Sequence, residues 1–130
     1  MSFIKNIFKN PTETSKIAVS RVNWIQLTSL SQLEEIKEIS KSEPIAIFKH
    51  STRCGISRMV LNSFEKQMDE SLKNFKVYYL DLLAYRGLSD EVGFTFQVRH
   101  QSPQLLVIKN GVLAAHASHY DVTRIDLSSF

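Results

Sequence analysis

The chain contains very little cysteine: Cys54 is the only one among its 130 residues. A single thiol cannot close an internal disulfide, and it cannot supply the cysteine cluster of a structural zinc site. A lone free thiol is more typical of the reducing cytosol than of an oxidising compartment. We therefore expect a cytoplasmic protein that folds without covalent cross-links.

Long apolar runs and clusters of one charge are also missing. No stretch approaches the length needed to span a bilayer, and the first residues show no continuous apolar segment of a secretory signal. The net charge is only +3, with no run of lysine or arginine and no interleaved aromatic platform. We expect neither a transmembrane segment nor a nucleic-acid partner, while a mildly basic surface suits small anionic ligands.

Glycine and proline are scarce, with four and three residues, and 43% of the chain is hydrophobic against 22% charged. This composition excludes collagen-like and disordered classes. The length favours one domain that buries its own core.

Two segments differ in composition. We assign residues 1–20 to an N-terminal extension and linker, and residues 21–130 to the folded domain. The linker is polar and contains Pro11. The segment before the linker has apolar residues whose spacing fits a short amphipathic helix on a membrane or on the domain, although a partly ordered terminus is the simpler interpretation. These residues are Phe3, Ile4, Ile7 and Phe8.

Hydrophobic periodicity predicts the element order β-α-β-α-β-α-β-β-α. Alternation in the first half indicates parallel βαβ units, and Asn110-Gly111 is a strong hairpin signal that adds an antiparallel pair. The predicted class is α/β, with a central mixed sheet flanked by helices. The predicted strands are 23–27, 44–50, 75–80, 104–109 and 112–116, and the predicted helices are 29–40, 55–71, 89–97 and 121–130.

Local signals give the expected helix starts and core aromatics. Ser29 or Ser31 is the candidate cap of the first helix, and the run 89–91 (Ser-Asp-Glu) is the candidate cap of the third. The aromatic residues expected in the core are Phe64, Phe75, Phe94 and Phe96.

The turn around Cys54 carries the first chemical signal. It joins the end of an apolar strand to the start of a helix, where free backbone N–H groups and the helix dipole favour a thiolate. Arg53 and Arg58, with His50 as a further candidate, add positive potential. A lone cysteine is commonly a small buried hydrophobe, but here the flanking turn is polar, which favours a reactive thiol.

The second signal is Ser102-Pro103, just before the strand 104–109. Proline cannot lie inside a central strand, so Pro103 must stand at the strand start. Taken alone this proline says little, because most X-Pro bonds are trans.

Together the two signals resemble the thioredoxin pattern of a strand, a Cys-x-x-Cys turn at a helix start, a later proline and an LLxxKNG stretch. The stretch 104–111 matches the residues after the thioredoxin cis-proline almost position for position. The resemblance covers residues 22–130 at the level of element order, and it implies a thioredoxin-like fold with Ser102-Pro103 cis and Pro103 against the Cys54 loop. The second cysteine of the motif is replaced by Ser57.

With serine at this position, the chain is similar to a narrower family, the YtxJ-type bacillithiol-system proteins, which are a monothiol bacilliredoxin-like group. The residues that carry the likeness are Thr52, Cys54, Ile56 and Ser57, with Val98, His100, Ser102, Pro103 and Gln104. Gly55 stands where the family more often has proline. The resemblance implies a bacterial protein without a bound cofactor that reacts through Cys54 with S-thiolated proteins, using bacillithiol or another low-molecular-weight thiol as co-substrate.

Further roles follow from this likeness. Ser57 cannot act as a resolving thiol; it can donate a hydrogen bond to the Cys54 thiolate or simply cap the helix. Arg53, Arg58, Arg99 and His100 are candidates for binding carboxylates of an anionic thiol, and each is otherwise a solvated surface group. The other histidines have no ligand-like spacing, so no metal site is expected.

Two function classes remain from the sequence. The first is a monothiol disulfide exchanger. The second is a thioredoxin-fold binding or adaptor module in which Cys54 only senses redox state; it need not keep the paired Cys54 and Pro103 sites. A peroxidase ranks below both, because position 51 is serine where a threonine is expected.

Overall fold

Strands and helices alternate through the residues that the computed structural model describes, which are 22–130. The predicted extension lies outside this range. Three short 3₁₀ turns accompany the regular elements, at Glu70–Leu72, His119–Arg124 and Leu127–Ser129. The regular elements are β1 (Trp24–Gln26), α1 (Ser31–Ile39), β2 (Ile45–His50), α2 (Gly55–Gln67), β3 (Lys76–Asp81), α3 (Arg86–Phe96), β4 (Gln104–Lys109) and β5 (Val112–Ser118).

The five strands form one mixed sheet in the order β1-β3-β2-β4-β5. β3 pairs in parallel with β1 and β2, while β4 pairs antiparallel with β2 and β5. The predicted α/β class and mixed sheet are confirmed.

β2 is the central strand, and all six of its residues are buried. Ile47 packs on the side of α1 and α3, whereas Phe48 packs with Val60 of α2. Apolar contacts on both faces are what a continuous apolar run predicts. The strand ends with Lys49 and His50, which are polar yet only 0% and 3% exposed.

The first helix is shorter than predicted, and neither predicted serine cap is used. Gln32 Oε1 instead accepts hydrogen bonds from the backbone N–H groups of Thr28 and Ser29, which precede the helix, at 2.7 and 3.0 Å. Gln32 therefore orders the segment that leads into the helix, while the N–H groups of Gln32 and Leu33 donate to the Ser29 and Leu30 carbonyls at 3.2 and 3.0 Å.

α2 ends at Gln67 rather than at residue 71. Met68 adopts an extended backbone, and Asp69 then begins a separate 3₁₀ turn, with Oδ1 accepting from the Ser71 N–H at 3.0 Å. An aspartate side chain that bonds the backbone nearby offers an alternative to continuing the helix.

α3 begins at Arg86, so the predicted cap at 89–91 was wrong. Ser89 is buried inside the helix, where its N–H donates to the Tyr85 carbonyl at 2.9 Å. The chain before the helix is ordered by Asp81, whose Oδ1 accepts from the Leu83 N–H at 3.1 Å.

The predicted closing helix, 121–130, is replaced by two 3₁₀ turns. β-branched residues, Val122 and Thr123 among them, lose side-chain freedom in a helix. Asp126 interrupts the segment, because its Oδ1 accepts from the Ser128 N–H at 3.0 Å and starts the second turn.

Phe94 is 73% exposed, which contradicts its predicted place in the core. Residues two apart on a helix point to different faces, so Phe94 and Phe96 cannot both face the sheet. The structure buries Phe96.

The hairpin turn between β4 and β5 is fastened to the end of α1. Asn110 and Gly111 have φ values of 56° and 80°, which glycine and asparagine tolerate best. The Asn110 N–H donates to the Ser40 carbonyl, and the Gly111 N–H donates to Ser40 Oγ, both at 2.8 Å. Ser40 therefore ties a surface turn to the helix layer.

Within residues 22–130, no helix combines the length and the apolar character needed to cross a membrane.

Candidate active site

Cys54 stands at the junction between the central strand and α2. It is the residue before the helix, with an extended backbone at φ −103° and ψ 121°, and its side chain is half-buried. Its N–H donates to the Ser51 carbonyl at 3.2 Å, and its carbonyl accepts from the Arg58 N–H at 3.1 Å. The thiol therefore lies at the N-terminus of α2, where the first backbone N–H groups of a helix have no partners within the helix.

The buried side chain of Ser57 stabilises the turn around Cys54 through contacts with the end of β2. It is fully buried, and its Oγ accepts from the Ser51 N–H at 3.1 Å and lies 2.7 Å from His50 Nδ1. Of its two predicted roles, a bond to the Cys54 thiolate or a helix cap, neither occurs among the described residues. The hydroxyl instead joins the end of β2 to the first turn of α2.

His50 is the buried partner of Ser57, and its ring lies 5.6 Å from that of Tyr79. Burial lowers the pKa of His50, while Asp81 opposes that shift and Arg58 adds to it. The imidazole is therefore mainly neutral at pH 7. His50 supplies a hydrogen-bonding group under the turn and little of the positive charge for which the sequence made it a candidate.

Arg58 folds back over the Cys54 turn. Its Nη1 donates to the Thr52 carbonyl at 3.1 Å, and a Cβ built on Gly55 would lie 3.8 Å from its Nη2. Arg53 is exposed. No ion pair between described residues involves Arg53 or Arg58, so both charges remain available beside the thiol.

The Ser102-Pro103 peptide bond is cis, as the resemblance implied. Pro103 is buried, and the next residue, Gln104, pairs with Lys49 across β2 and β4. The start of β4 and the end of β2 therefore lie at the same edge of the sheet. This register brings the cis-proline loop and the Cys54 turn to one end of the molecule.

The two residues of this loop proposed as thiol ligands differ in setting. Arg99 is exposed, and its carbonyl accepts from Gln104 Nε2 at 2.9 Å. His100 is also exposed, yet its Nδ1 lies 3.4 Å from both Lys49 Nζ and Ser89 Oγ. Burial and the Lys49 charge lower the pKa of His100. One edge of that ring is therefore committed to the protein interior.

Sequence reasoning missed Lys49. Its side chain is fully buried, and its ammonium donates to the Ser89 carbonyl at 3.1 Å and contacts His100. The available signal was a lysine inside the apolar run 44–50, at a position that strand alternation places on the α3 side of the sheet.

Exposed apolar side chains border the thiol on α2. Ile56 and Met59 are 43% and 58% exposed, although both lie in the first turns after Cys54. Apolar surface rimmed by arginine suits contact with another protein. A cavity of about 290 Å³ at the other end of α2, beside Met68 and Leu127, contains none of the predicted site residues.

Among residues 22–130, no three histidine, cysteine or acidic side chains are grouped so that they could hold a metal ion.

Comparisons with known proteins agree with this geometry. Residues 25–127 match the family model of monothiol bacilliredoxin BrxC. A solved structure described as an oxidoreductase with a thioredoxin fold is 31% identical, covers 82% of this chain and 88% of its own, and has a TM-score of 0.67.

Two thioredoxins are more distant. That of Malassezia sympodialis is 23% identical with a TM-score of 0.60, and covers 76% of this chain and 81% of its own. That of Trypanosoma brucei brucei is 14% identical with a TM-score of 0.64, and covers 78% and 83%. At these identities the likeness shows the fold alone.

Proposed function

The chain belongs to the monothiol bacilliredoxin family, and from that premise we propose that it removes a low-molecular-weight thiol, bacillithiol in the first instance, from mixed disulfides on other proteins. Support for thiol redox chemistry comes from the family, whose description is monothiol bacilliredoxin, and from the neighbour at 31% identity, which is described as an oxidoreductase with a thioredoxin fold. The observation that carries the proposal is the position of Cys54, the only sulfur nucleophile of the chain, at the start of α2.

The first step is attack by the Cys54 thiolate on the small-thiol sulfur of a protein mixed disulfide. A new S–S bond forms between Cys54 and the small thiol, the old S–S bond breaks, and the target cysteine leaves as a thiolate that takes a proton from water. No net oxidation occurs in this step, because one disulfide replaces another.

The second step needs an external thiol. Ser57 carries no sulfur, and its hydroxyl is already bonded to Ser51 and close to His50. A second small thiolate therefore attacks the small-thiol sulfur on Cys54, forming a small-molecule disulfide and releasing the Cys54 thiolate. The reductant is the free thiol, and it is consumed one molecule per turnover.

Substrate recognition follows from the surroundings of the thiol. Arg53 and Arg58 present unpaired positive charge to the carboxylates of an anionic thiol. The exposed Ile56 and Met59 suit contact with the target protein. The cis-proline loop offers the Ser102 backbone for pairing with an extended target segment.

The cellular setting is part of the same proposal. A monothiol cycle requires a continuous supply of reduced small thiol, which the bacterial cytoplasm provides and oxidising compartments do not. The partners are then S-thiolated cytoplasmic proteins.

Intact-mass spectrometry tests the cycle. A bacillithiolated protein is mixed with wild type, Cys54→Ser and Ser57→Cys, and each mass is followed with and without added bacillithiol. Wild type should acquire one bacillithiol adduct, and its turnover should rise with the concentration of free thiol. Ser57→Cys should instead lose the adduct to a 54–57 disulfide, because an internal thiol acts at high effective concentration.

The Cys54→Ser variant supplies the control. Equal release of target thiol by wild type and Cys54→Ser would overturn the enzymatic proposal. A wild-type adduct that forms once and is not discharged by free thiol would favour the redox sensor. Repeating the challenge with glutathione and coenzyme A adducts distinguishes bacillithiol from other small thiols.

A further inference from the structure

A buried cation lies beneath the cis-proline loop and takes no part in the disulfide chemistry. Lys49 is 0% exposed, in the central strand of the sheet. A charge in such a place is costly unless it has partners, and its partners here are the Ser89 carbonyl at 3.1 Å and His100 Nδ1 at 3.4 Å. Both contacts lead away from the strand, one to α3 and the other to the loop.

The neighbouring strand holds the same loop. Gln104 pairs with Lys49 across the sheet, is 1% exposed, and donates from Nε2 to the Arg99 carbonyl at 2.9 Å. Its Oε1 is buried and has no partner among the described residues. Two buried side chains of adjacent strands therefore contact consecutive residues shortly before the cis bond: Gln104 bonds to Arg99, and Lys49 contacts His100.

We propose that Lys49 is a positioning residue, whose ammonium holds the 99–103 loop through His100 so that the Ser102 backbone is presented to a target protein beside Cys54. The inference rests on the proposed function. Lys49 touches neither the thiol nor the disulfide, so it acts on protein substrates through the loop and leaves the intrinsic reactivity of Cys54 unchanged.

Several charged groups bear on this contact. Asp90 of α3 faces Lys49, and Arg86 of the same helix and Lys49 both act on His100, while Ser89 and Gln104 are neutral. Burial lowers the pKa of Lys49 to about 8, although Asp90 opposes the shift. Because the pKa of His100 is also lowered, its Nδ1 stays a neutral acceptor at and above pH 7. The ammonium is thus present below about pH 8 and lost above it.

The test compares two rates on the same protein samples, wild type and Lys49→Met. One is alkylation of Cys54 by iodoacetamide, which needs no loop; the other is release of target thiol from a bacillithiolated protein. The rate of target-thiol release is divided by the rate of alkylation, so that any dependence of both rates on the Cys54 thiolate cancels. For wild type this ratio should fall several-fold between pH 7 and pH 9, and for Lys49→Met it should be about tenfold lower at pH 7 and flat with pH.

An NMR titration of His100 gives a readout that does not depend on activity. Removing the Lys49 charge should raise the pKa of His100, because that charge lowers it in the wild type. His100→Leu and His100→Gln provide a second pair: the amide oxygen of glutamine accepts from the ammonium and should keep the ratio near wild type, whereas leucine should reproduce Lys49→Met.

Each outcome bears on one of the two proposals. A Lys49→Met ratio equal to wild type at pH 7, with de-thiolation intact, overturns the role of Lys49 and leaves the proposed function standing. Absence of de-thiolation by wild type overturns the proposed function, and the role of Lys49 with it. If Lys49→Met does not fold, equal ratios for the two His100 variants overturn the positioning role.

Discussion

Replacing Ser57 with alanine removes one oxygen and leaves two polar groups without their partner. Ser57 Oγ accepts from the Ser51 N–H and lies 2.7 Å from His50 Nδ1, and Ser57 is fully buried. A buried group that loses its hydrogen bond costs about 1–3 kcal/mol. His50 is deeply buried, whereas Ser51 is half-buried and can regain water, so we expect Ser57→Ala to lower the free energy of unfolding by about 2 kcal/mol.

Urea denaturation followed by Trp24 fluorescence measures this loss. Trp24 is the only tryptophan and packs on Phe48 and Phe64, so its emission reports the core beside α2. With a denaturant slope of about 2 kcal/mol per molar, a 2 kcal/mol loss moves the midpoint down by about 1 M at unchanged slope. Ser63→Ala, at an exposed position of the same helix, is the matched control and should stay within about 0.5 kcal/mol.

A double-mutant cycle assigns the loss to the named contact. His50→Phe keeps a ring between Phe48 and Tyr79 but removes Nδ1. If His50 and Ser57 share a hydrogen bond, the double variant should lose about 1 kcal/mol or more less free energy of unfolding than the sum of the losses of the two single variants. A Ser57→Ala midpoint within error of the wild type, or strictly additive losses, would refute the reasoning.

Two further predictions concern the helix α3 and the buried lysine. Gly87→Ala should raise the thermal midpoint slightly, since a Cβ there meets nothing within 4 Å. Gly93→Ala should lower the free energy of unfolding by about 1 kcal/mol or more, because its Cβ would lie 3.0 Å from the Val98 carbonyl oxygen. Equal effects of the two substitutions would contradict the packing described. Folding lowers the pKa of Lys49 from 10.5 to about 8, so between these pH values the unfolded chain binds more protons than the folded chain. The free energy of unfolding of the wild type should therefore rise relative to that of Lys49→Met by up to about 3 kcal/mol as the pH rises from 8 to 10.5, as measured by urea titrations. A stability difference between the two proteins that is flat with pH would show that Lys49 is not perturbed.

The elements that the sequence predicted well are those with a strong local signal. The apolar run 44–50 can only be a covered strand, and Asn110-Gly111 adopts the positive φ values that a tight hairpin needs. The position of Cys54 follows from the end of that strand together with the helical spacing of the apolar residues after Gly55, which places Cys54 directly before a helix. The cis bond at Pro103 came from the family likeness, since the residues alone do not favour cis.

The parts that were missed depend on contacts between distant segments. The apolar run 44–50 indicates that Lys49 is covered, but nothing local shows that its partner is His100, some fifty residues later. Ser89, followed by two acidic residues, has the pattern of a cap, yet the structure buries it inside α3. Ser57 is the same case at the site itself: its spacing from Cys54 invited a bond to sulfur, whereas the neighbouring strand end supplied a better partner in His50.

The hydrogen bonds between Ser40 and the β4–β5 turn affect how fast the amide hydrogens of that turn exchange with solvent. Amide hydrogens at a hairpin tip ordinarily exchange with deuterium quickly, because they are exposed and the tip frays first. Here the Asn110 and Gly111 amides donate to the carbonyl and hydroxyl of Ser40, which lies after the end of α1 and is 1% exposed. These two amides can open only when the hairpin separates from the helix layer. Deuterium uptake at the tip should therefore report the opening of the helix–sheet interface, and it should be slower than uptake along the exposed positions of β5.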